Sequence, residues 1–293
     1  MPPERLDEAV LLVRPAIRAR QRAEIEETMA ESAARAGWAL RVAAAGSAEQ
    51  TEQVAAEVSD RTLVVAVGGD GLVARAGTGV LRAGAVLAPI RAGRGNDYAR
   101  ALGVPADPVE ALRRLPDLAV RLVDVGRVDG RPFFSVACAG VDGTANALAN
   151  AAPSWLGGSL VYAWSGLRAI LSEPPQRYRL GITGKVDEQV AWTVVVGCTR
   201  SYGGGLLVCP DARPDDGMLE LVVIGPVSRL RFLSVLRRMR RGTHLALAQV
   251  STRTITRVAL SADRPTPVYA DGDLLGSLPV TIEVDPGALR LLA

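Results

Sequence analysis

Apolar and amphipathic segments alternate along the first part of the chain. Short apolar runs predict buried strands at residues 8–13, 38–44, 62–67 and 85–90. Apolar residues at helical spacing predict helices at residues 16–36, 48–58, 73–82 and 107–115. This alternation predicts a Rossmann-like parallel sheet with helices on its faces, and ligands bind such sheets at the carboxyl ends of the strands.

The pattern changes near residue 127, where helices give way to short, closely spaced apolar runs. These runs predict strands at residues 177–183, 190–198, 218–224, 257–260, 268–270 and 281–284. Asp129-Gly130 is a typical two-residue hairpin turn. We therefore predict an α/β domain of residues 1–126, with residues 286–293 as a candidate addition to it. An antiparallel β domain of residues 127–285 follows.

The third predicted strand ends in a glycine-rich loop, Gly68-Gly69-Asp70-Gly71, and Leu72 then leads into a helix. Glycines let the backbone approach a ligand closely, and the start of a helix favours an anion. A carboxylate beside an anion requires a cation or a hydroxyl group between them, so the loop suggests a nucleotide phosphate with Mg²⁺. The alternative is a turn in which Asp70 caps the following helix.

A second loop of the same kind, Gly93-Arg94-Gly95-Asn96-Asp97, follows the next predicted strand. Asn96 or Asp97 alone would be an ordinary helix cap. Two such loops after neighbouring strands fall on one edge of the sheet. We therefore favour a shared phosphate site over two independent caps.

The amino-acid composition excludes several kinds of partner and catalytic site. The 293 residues are 48% hydrophobic and 22% charged, and the formal net charge of +3 does not indicate a nucleic-acid partner. Cys138, Cys198 and Cys209 lack metal-site spacing and are expected to be reduced thiols. His244 is the only histidine, which argues against histidine-dependent triads and leaves acid–base chemistry to carboxylates.

The location of the protein is predicted from two features of the sequence. No apolar run is long enough to span a bilayer, and the first five residues lack the pattern of a signal peptide. We therefore expect a cytoplasmic protein. Residues 228–243 form a basic amphipathic segment, which is either a helix that rests on an anionic membrane or a helix that packs its apolar stripe on the core.

Further motifs follow in order along the chain. They are Tyr202-Gly203-Gly204-Gly205, Cys209-Pro210-Asp211-Ala212, Asp215-Asp216-Gly217-Met218-Leu219, Asp271-Gly272-Asp273 and Pro286-Gly287-Ala288-Leu289. With the two glycine loops and Asp124, their order and spacing resemble those of the diacylglycerol kinase catalytic-domain family. That family includes bacterial diacylglycerol, sphingosine and ceramide kinases. The resemblance covers nearly the whole chain.

This resemblance implies a nucleotide-binding N-terminal domain, a C-terminal β-sandwich and a lipid kinase that uses Mg²⁺-ATP. It implies that the nucleotide contacts the two loops, Gly68 to Leu72 and Gly93 to Asp97, and that Asp70, Asp97 and Asp124 hold the active-site Mg²⁺ partly through water. A structural Mg²⁺ would use Asp216 and the backbone carbonyl groups of Arg213 and Met218. Asp271 would be the general base, with Asp273 beside it.

Several positions depart from the family pattern. Arg14 follows the first strand, where the family usually has a phosphate-binding loop. At four further positions the chain carries Leu72, Arg75, Arg94 and Asp273 in place of the residues that the family usually has there. The arginines are candidate phosphate ligands. A pseudokinase without turnover and an NAD kinase-like phosphotransferase stay as alternatives. The sequence also does not decide which lipid is the acceptor, whether the protein contacts a membrane surface, or whether it forms a homodimer.

Overall fold

The structure is a computed structural model that describes residues 6–150 and 158–293. The chain forms two compact units. The first contains the residues up to Asp124 together with Gly287–Ala293, and the second is Val125–Pro286.

The first unit is a parallel sheet with helices. Its strands are β1 (Glu8–Val13), β2 (Ala39–Ala43), β3 (Thr62–Gly68) and β4 (Val86–Arg91). Its helices are α1 (Ala19–Ala36), α2 (Ala48–Ala56), α3 (Asp70–Ala83), α4 (Asp97–Ala101) and α5 (Pro108–Arg114). The strand order is β2-β1-β3-β4, and the end of the last strand of the chain pairs in parallel with β4. The predicted parallel α/β fold is confirmed.

Local sequence explains the ends of these helices. Helix α1 ends at Gly37, whose φ of 75° is left-handed and whose N–H bonds the carbonyl groups of Ala33 and Ala34. Helix α2 begins after Ser47, whose hydroxyl group accepts from Gln50 N.

The second unit is built mainly from antiparallel strands. The strands are β5 (Val120–Val128, which begins in the first unit), β6 (Arg131–Phe133), β7 (Val136–Gly140), β8 (Gln176–Ile182), β9 (Lys185–Ala191), β10 (Thr193–Gly197), β11 (Leu219–Ile224), β12 (Val250–Ile255), β13 (Arg257–Ala262), β14 (Pro267–Ala270), β15 (Asp273–Ser277) and β16 (Val280–Leu292, which ends in the first unit). The helices are α6 (Val141–Asn150), α7 (Gly158–Ser172) and α8 (Arg229–Met239).

Two layers of strands share a core in the second unit. One layer has the order β12-β11-β10-β7-β14-β15, and the other contains β16, β13, β8 and β9. Val194 and Val196 of the first layer belong to the same buried cluster as Leu180, Val258 and Ile282 of the second. This arrangement is the expected β-sandwich. A second cluster on the other side of the first layer buries one face of α8.

One strand prediction was wrong, and strand β12 was not predicted. The run at residues 190–198 was predicted as one strand, but β9 ends at Ala191 and β10 begins at Thr193. The chain changes layers at Trp192, because β9 pairs with β8 whereas β10 pairs with β7 and β11. Strand β12 was missed because its middle residues are polar and exposed, so the sequence shows no apolar run there.

Candidate functional site

Three connections of the first unit emerge at the same edge of its sheet. Strands β1, β3 and β4 are parallel neighbours, with Val13 opposite Val67 and Val67 opposite Ile90. Arg14 follows β1 directly, and its N–H bonds the carbonyl group of Val67 at 3.0 Å. The two glycine loops follow β3 and β4, so they and Arg14 share the carboxyl end of the sheet.

The two glycine loops touch through their backbones. A Cβ atom on Gly93 would lie 2.3 Å from Gly69 Cα and 2.8 Å from Gly69 N, so only glycine permits this approach. Asn96 holds the second loop closed, because its Oδ1 accepts from Gly93 N at 2.8 Å and its Nδ2 donates to Gly93 O at 2.9 Å. The structure thus joins the two sequence motifs into one feature.

The other glycines of the first loop differ in their surroundings. A Cβ atom on Gly68 would lie 3.0 Å from Leu72 Cβ, so Leu72 packs over Gly68. A Cβ atom on Gly71 would meet nothing within 4 Å, although Gly71 lies in the first turn of α3. No contact within this unit requires a glycine at residue 71. Because Gly71 has no side chain, the space beside its backbone is open.

Asp70 connects the two loops. Its Oδ1 accepts from Tyr98 N, at the start of α4, at 3.1 Å. The N-cap of α3 is Gly69, without a side-chain cap, so the alternative in which Asp70 caps its own helix is wrong. Burial raises the pKa of the Asp70 carboxyl group above its usual value, and the charge of Asp97 adds to this, while the Tyr98 N–H opposes it.

Asp97 is buried at the start of α4 and is held by Arg100. The Asp97 Oδ1 lies 2.9 Å from Arg100 Nη1, and Arg100 Nη2 also donates to Gly95 O at 2.6 Å. Arg100 therefore links the start of α4 to the second loop, and its guanidinium group lies next to Gly95.

Asp124 is buried in β5 and has a different partner. Its Oδ1 accepts from Gly287 N at 2.8 Å, which ties β5 to the C-terminal strand. Within residues 6–150 and 158–293, no group of three or more His, Cys, Asp or Glu side chains is placed to hold a metal ion. The structure therefore brings Asp70 and Asp97 near each other but does not gather them with Asp124 into a metal-binding group.

The arginines that depart from the family pattern fall into two classes. Neither Arg14 nor Arg94 has a side-chain hydrogen bond or ion pair with the described residues, and Arg94 is exposed. The Arg75 guanidinium group instead lies 3.7 Å from Glu52, whose other oxygen pairs with Arg82 at 2.8 Å. Arg14 and Arg94 are therefore the arginines available to an anionic ligand.

In the second unit, Asp271 and Gly272 form the turn of the β14–β15 hairpin. Their φ angles are 51° and 93°, and Ala270 pairs with Asp273 across the turn. The Asp271 carboxylate accepts from Phe134 N at 2.6 Å and from the next N–H in the chain at 2.8 Å. These two bonds fix the orientation of the carboxylate.

The predicted structural metal site lies beside a cavity of about 160 Å³. Its lining includes Asp211, Arg213, Asp216, Met218 and Glu220. Asp216 Oδ1 accepts from Met218 N at 3.0 Å, which fixes the loop. Carboxylate and carbonyl oxygens are the donors that Mg²⁺ prefers. In the described residues no three carboxylates are placed together to hold an ion, so backbone carbonyl groups would have to complete the donor set around Asp216.

The sequence interpretation missed Glu220 as part of this cavity. Its carboxylate is almost fully buried and accepts from Asp211 N at 2.9 Å and from Thr252 Oγ1 at 3.0 Å. Burial raises the pKa of Glu220 above its usual value. A glutamate in the apolar strand β11 was the available signal.

A second buried carboxylate, Asp142, was also missed. Its Oδ2 accepts from Thr193 Oγ1 at 3.0 Å, and Tyr202 also bonds its side chain. Burial raises the pKa of Asp142 to about 6, while these two hydrogen bonds act in the opposite direction. The signal was an acidic residue two positions after the fully buried strand β7.

The single histidine and the three cysteine thiols are all buried. His244 is buried with its Nε2 3.0 Å from Val208 O, and burial lowers its pKa. Cys138, Cys198 and Cys209 are buried and free, as expected. None of the helices in the described part of the chain is both long enough and apolar enough to cross a bilayer.

Two family models match the chain, one for each half. Residues 8–128 match the diacylglycerol kinase catalytic domain. Residues 135–293 match the YegS C-terminal NAD kinase beta sandwich-like domain.

Named relatives extend over most of the chain. A diacylglycerol kinase of Mycobacterium tuberculosis (strain H37Rv) is 35% identical over 237 residues, which cover 78% of this chain and 76% of the relative. A "probable lipid kinase YegS-like" of Pseudomonas fluorescens is 29% identical over 275 residues, 91% of this chain and 90% of the relative. A diacylglycerol kinase structure from Bacillus anthracis str. Sterne, 18% identical, superposes with a TM-score of 0.75 over 98% of this chain and 96% of that one, which supports the fold.

Proposed function

Because the chain belongs to the family of diacylglycerol kinases and YegS-like lipid kinases, we propose that it transfers the γ-phosphoryl group of ATP to the hydroxyl group of a lipid. The observation that carries this proposal is the contact between the two glycine loops at the carboxyl end of the parallel sheet. Phosphoryl transfer requires positioning and charge stabilisation more than covalent chemistry, and a rigid pair of backbone loops provides positioning.

The first unit supplies the groups that would hold the nucleotide. Gly71 leaves the backbone of the first loop open to phosphate oxygens, and Gly69 and Gly93 let the two loops meet. Arg14 and Arg94 add positive charge at the same edge, and a guanidinium group binds phosphate through two parallel hydrogen bonds. These arginines would replace the polar contacts that the altered first-strand loop does not provide.

A magnesium ion would neutralise charge on the phosphates when it is bound. Mg²⁺ keeps several waters and needs only one or two carboxylates together with substrate phosphates. Asp70 and Asp97 are the carboxylates for this role, since the structure brings them near each other at the two loops. In the second unit, Asp216 and the carbonyl groups of Arg213 and Met218 would hold the structural ion beside the cavity.

Asp271 would accept the proton of the lipid hydroxyl group. Two backbone N–H groups already orient its carboxylate, and a carboxylate has further lone pairs to receive a proton. The fixed turn therefore serves as support for a base, because a general base must be held within hydrogen-bond distance of the proton that it takes. Asp273, at the start of β15, would position the acceptor.

The pseudokinase is the second candidate, and the altered loops favour it. Arg14 and Leu72 replace groups that the family uses around the phosphates, and Arg75 is already engaged by Glu52. Such a protein would bind Mg²⁺-ATP without transferring phosphate.

The deciding experiment incubates the protein with ATP, Mg²⁺ and a panel of dispersed lipids that contain diacylglycerol, sphingoid bases and polyprenols. Mass spectrometry of the extracted lipids should detect one phosphorylated class. Omission of Mg²⁺ should abolish the product. Binding of ATP without any phosphorylated lipid would reject the kinase and favour the pseudokinase.

A further inference from the structure

A long segment of the second unit contains basic residues and no acidic ones. Between residues 221 and 262 there is no Asp or Glu, whereas residues 229–241 alone contain six arginines. Helix α8 lies in this segment. The local charge of the segment is therefore far more positive than the net charge of +3 suggests.

One face of α8 packs on the protein. Phe232, Val235 and Met239 are buried in the cluster beneath the first layer of strands. The Arg229 guanidinium group donates to the carbonyl groups of Ile170 and Leu171, at 3.0 and 3.2 Å, and so joins α8 to the end of α7. The packing-helix interpretation is confirmed for this face.

The opposite face of α8 is exposed and has no partner in the described structure. We call it the arginine face. It consists of Leu230, Arg231, Leu233, Arg237 and Arg238 of the helix, together with the exposed Arg240 and Arg241 that directly follow it. The side chains of its five arginines make no hydrogen bond or ion pair with any described residue. Leu230 and Leu233, which lie between the arginines, are 80% and 37% exposed. Leu171, beside Arg229, is 59% exposed.

We propose that the arginine face binds the surface of a bilayer that contains anionic phospholipids. The arginines would contact phosphate groups of the lipids, and Leu230 would enter the boundary between head groups and acyl chains. Exposed leucines between the arginines favour a lipid surface over a nucleic acid, since this face has no aromatic side chain on which bases could stack.

This inference rests on the proposed function and deepens it, because a kinase that acts on a membrane lipid must reach the bilayer. The binding step and the catalytic step can nevertheless be measured separately. Vesicle binding needs no nucleotide, and phosphorylation of a short-chain acceptor dispersed in detergent needs no bilayer.

The test compares the sedimentation of the protein with phosphatidylcholine vesicles that contain or lack phosphatidylglycerol. Each arginine near an anionic surface contributes about fivefold to partitioning, so Arg237→Gln/Arg238→Gln should weaken binding by about 25-fold. Lys185→Gln/Arg257→Gln removes the same charge from the β9 and β13 strands of the same unit, and this control should bind nearly as the wild type does. Added salt should weaken binding of the wild type.

Leu230→Ser tests the apolar contribution, and it should weaken binding without removing the salt dependence. Equal binding by the wild type and Arg237→Gln/Arg238→Gln would overturn the proposal, as would a wild type that does not sediment with anionic vesicles. Arginine-dependent binding to a DNA duplex together with no vesicle binding would assign the face to nucleic acid instead. Vesicle binding by a protein that phosphorylates no dispersed acceptor would leave this inference intact and reject only the kinase.

Discussion

The contact between the glycine loops can be tested with two alanine substitutions that differ in what the new methyl group meets. At Gly71 the methyl group meets nothing within 4 Å, and at Gly93 it lies 2.3 Å from Gly69 Cα. Gly71→Ala should therefore fold normally and gain up to about 1 kcal/mol, because alanine is the better helix former. Gly93→Ala must push two backbones about 1 Å apart, and overpacking of this kind costs about 1–3 kcal/mol.

Nucleotide binding should respond differently from stability. If ATP phosphates approach the backbone at Gly71, the methyl group occupies their space, and we expect the Kd for Mg²⁺-ATP to rise at least tenfold. At a concentration of about 100 Kd, ATP stabilises the wild type by about 2.7 kcal/mol. A tenfold weaker site leaves about 1.4 kcal/mol at the same concentration, so the shift in Tm should fall by about half.

Differential scanning fluorimetry with and without Mg²⁺-ATP measures both quantities on the same samples. We expect Gly71→Ala to keep or raise the Tm without ligand and to lose half or more of the shift with ligand. A Gly71→Ala protein whose ligand shift equals that of the wild type would refute the reasoning, because the nucleotide would then not approach this loop. Calorimetric titration with ATP serves as an independent measure of Kd.

Three further predictions concern single carboxylates. Because the folded-state pKa of Asp142 is about 6 and its unfolded value is lower, the folded protein holds a proton between these values that the unfolded chain releases, and stability falls as pH rises through that window. Urea unfolding at about pH 4.5 and about pH 7 should show that Asp142→Asn gains roughly 2 kcal/mol relative to the wild type over this interval, and a constant difference would contradict the assignment. Mg²⁺ without nucleotide should raise the Tm of the wild type and raise it less in Asp216→Ala, so equal shifts would place the ion elsewhere. Asp271→Asn should lower kcat by about 10²–10⁴-fold and leave the ATP-induced Tm shift unchanged; a variant as fast as the wild type would exclude Asp271 as the base.

Local signals predicted most of the first unit. The strands that precede the two glycine loops are apolar apart from Thr62 at the start of β3 and Arg91 at the end of β4, and the glycines mark where each strand ends. What the sequence could not show is that Asp70 bonds Tyr98 N, because this contact joins residues 28 positions apart and depends on how two loops meet. Pairing between distant segments is decided by the tertiary fold and not by local pattern.

In the second unit, local sequence pattern also failed to predict two features. Strand β12 carries polar residues because its middle is exposed, so hydrophobic periodicity could not reveal it. Leu230 and Leu233 have the spacing of a packed stripe, yet the buried face of α8 lies on Phe232, Val235 and Met239. Helical spacing predicts that apolar residues share a face but does not determine which face the protein covers.

The central claim is phosphoryl transfer from ATP to a lipid hydroxyl group, and the stoichiometry of the products tests it most directly. ADP and phosphorylated lipid should be quantified in the same reaction over time, with the lipid class that the panel identifies. The account predicts equimolar ADP and lipid phosphate, and no ADP when the lipid is omitted. ADP that forms without lipid phosphate, or Mg²⁺-ATP that binds and stays intact with every lipid, would contradict it.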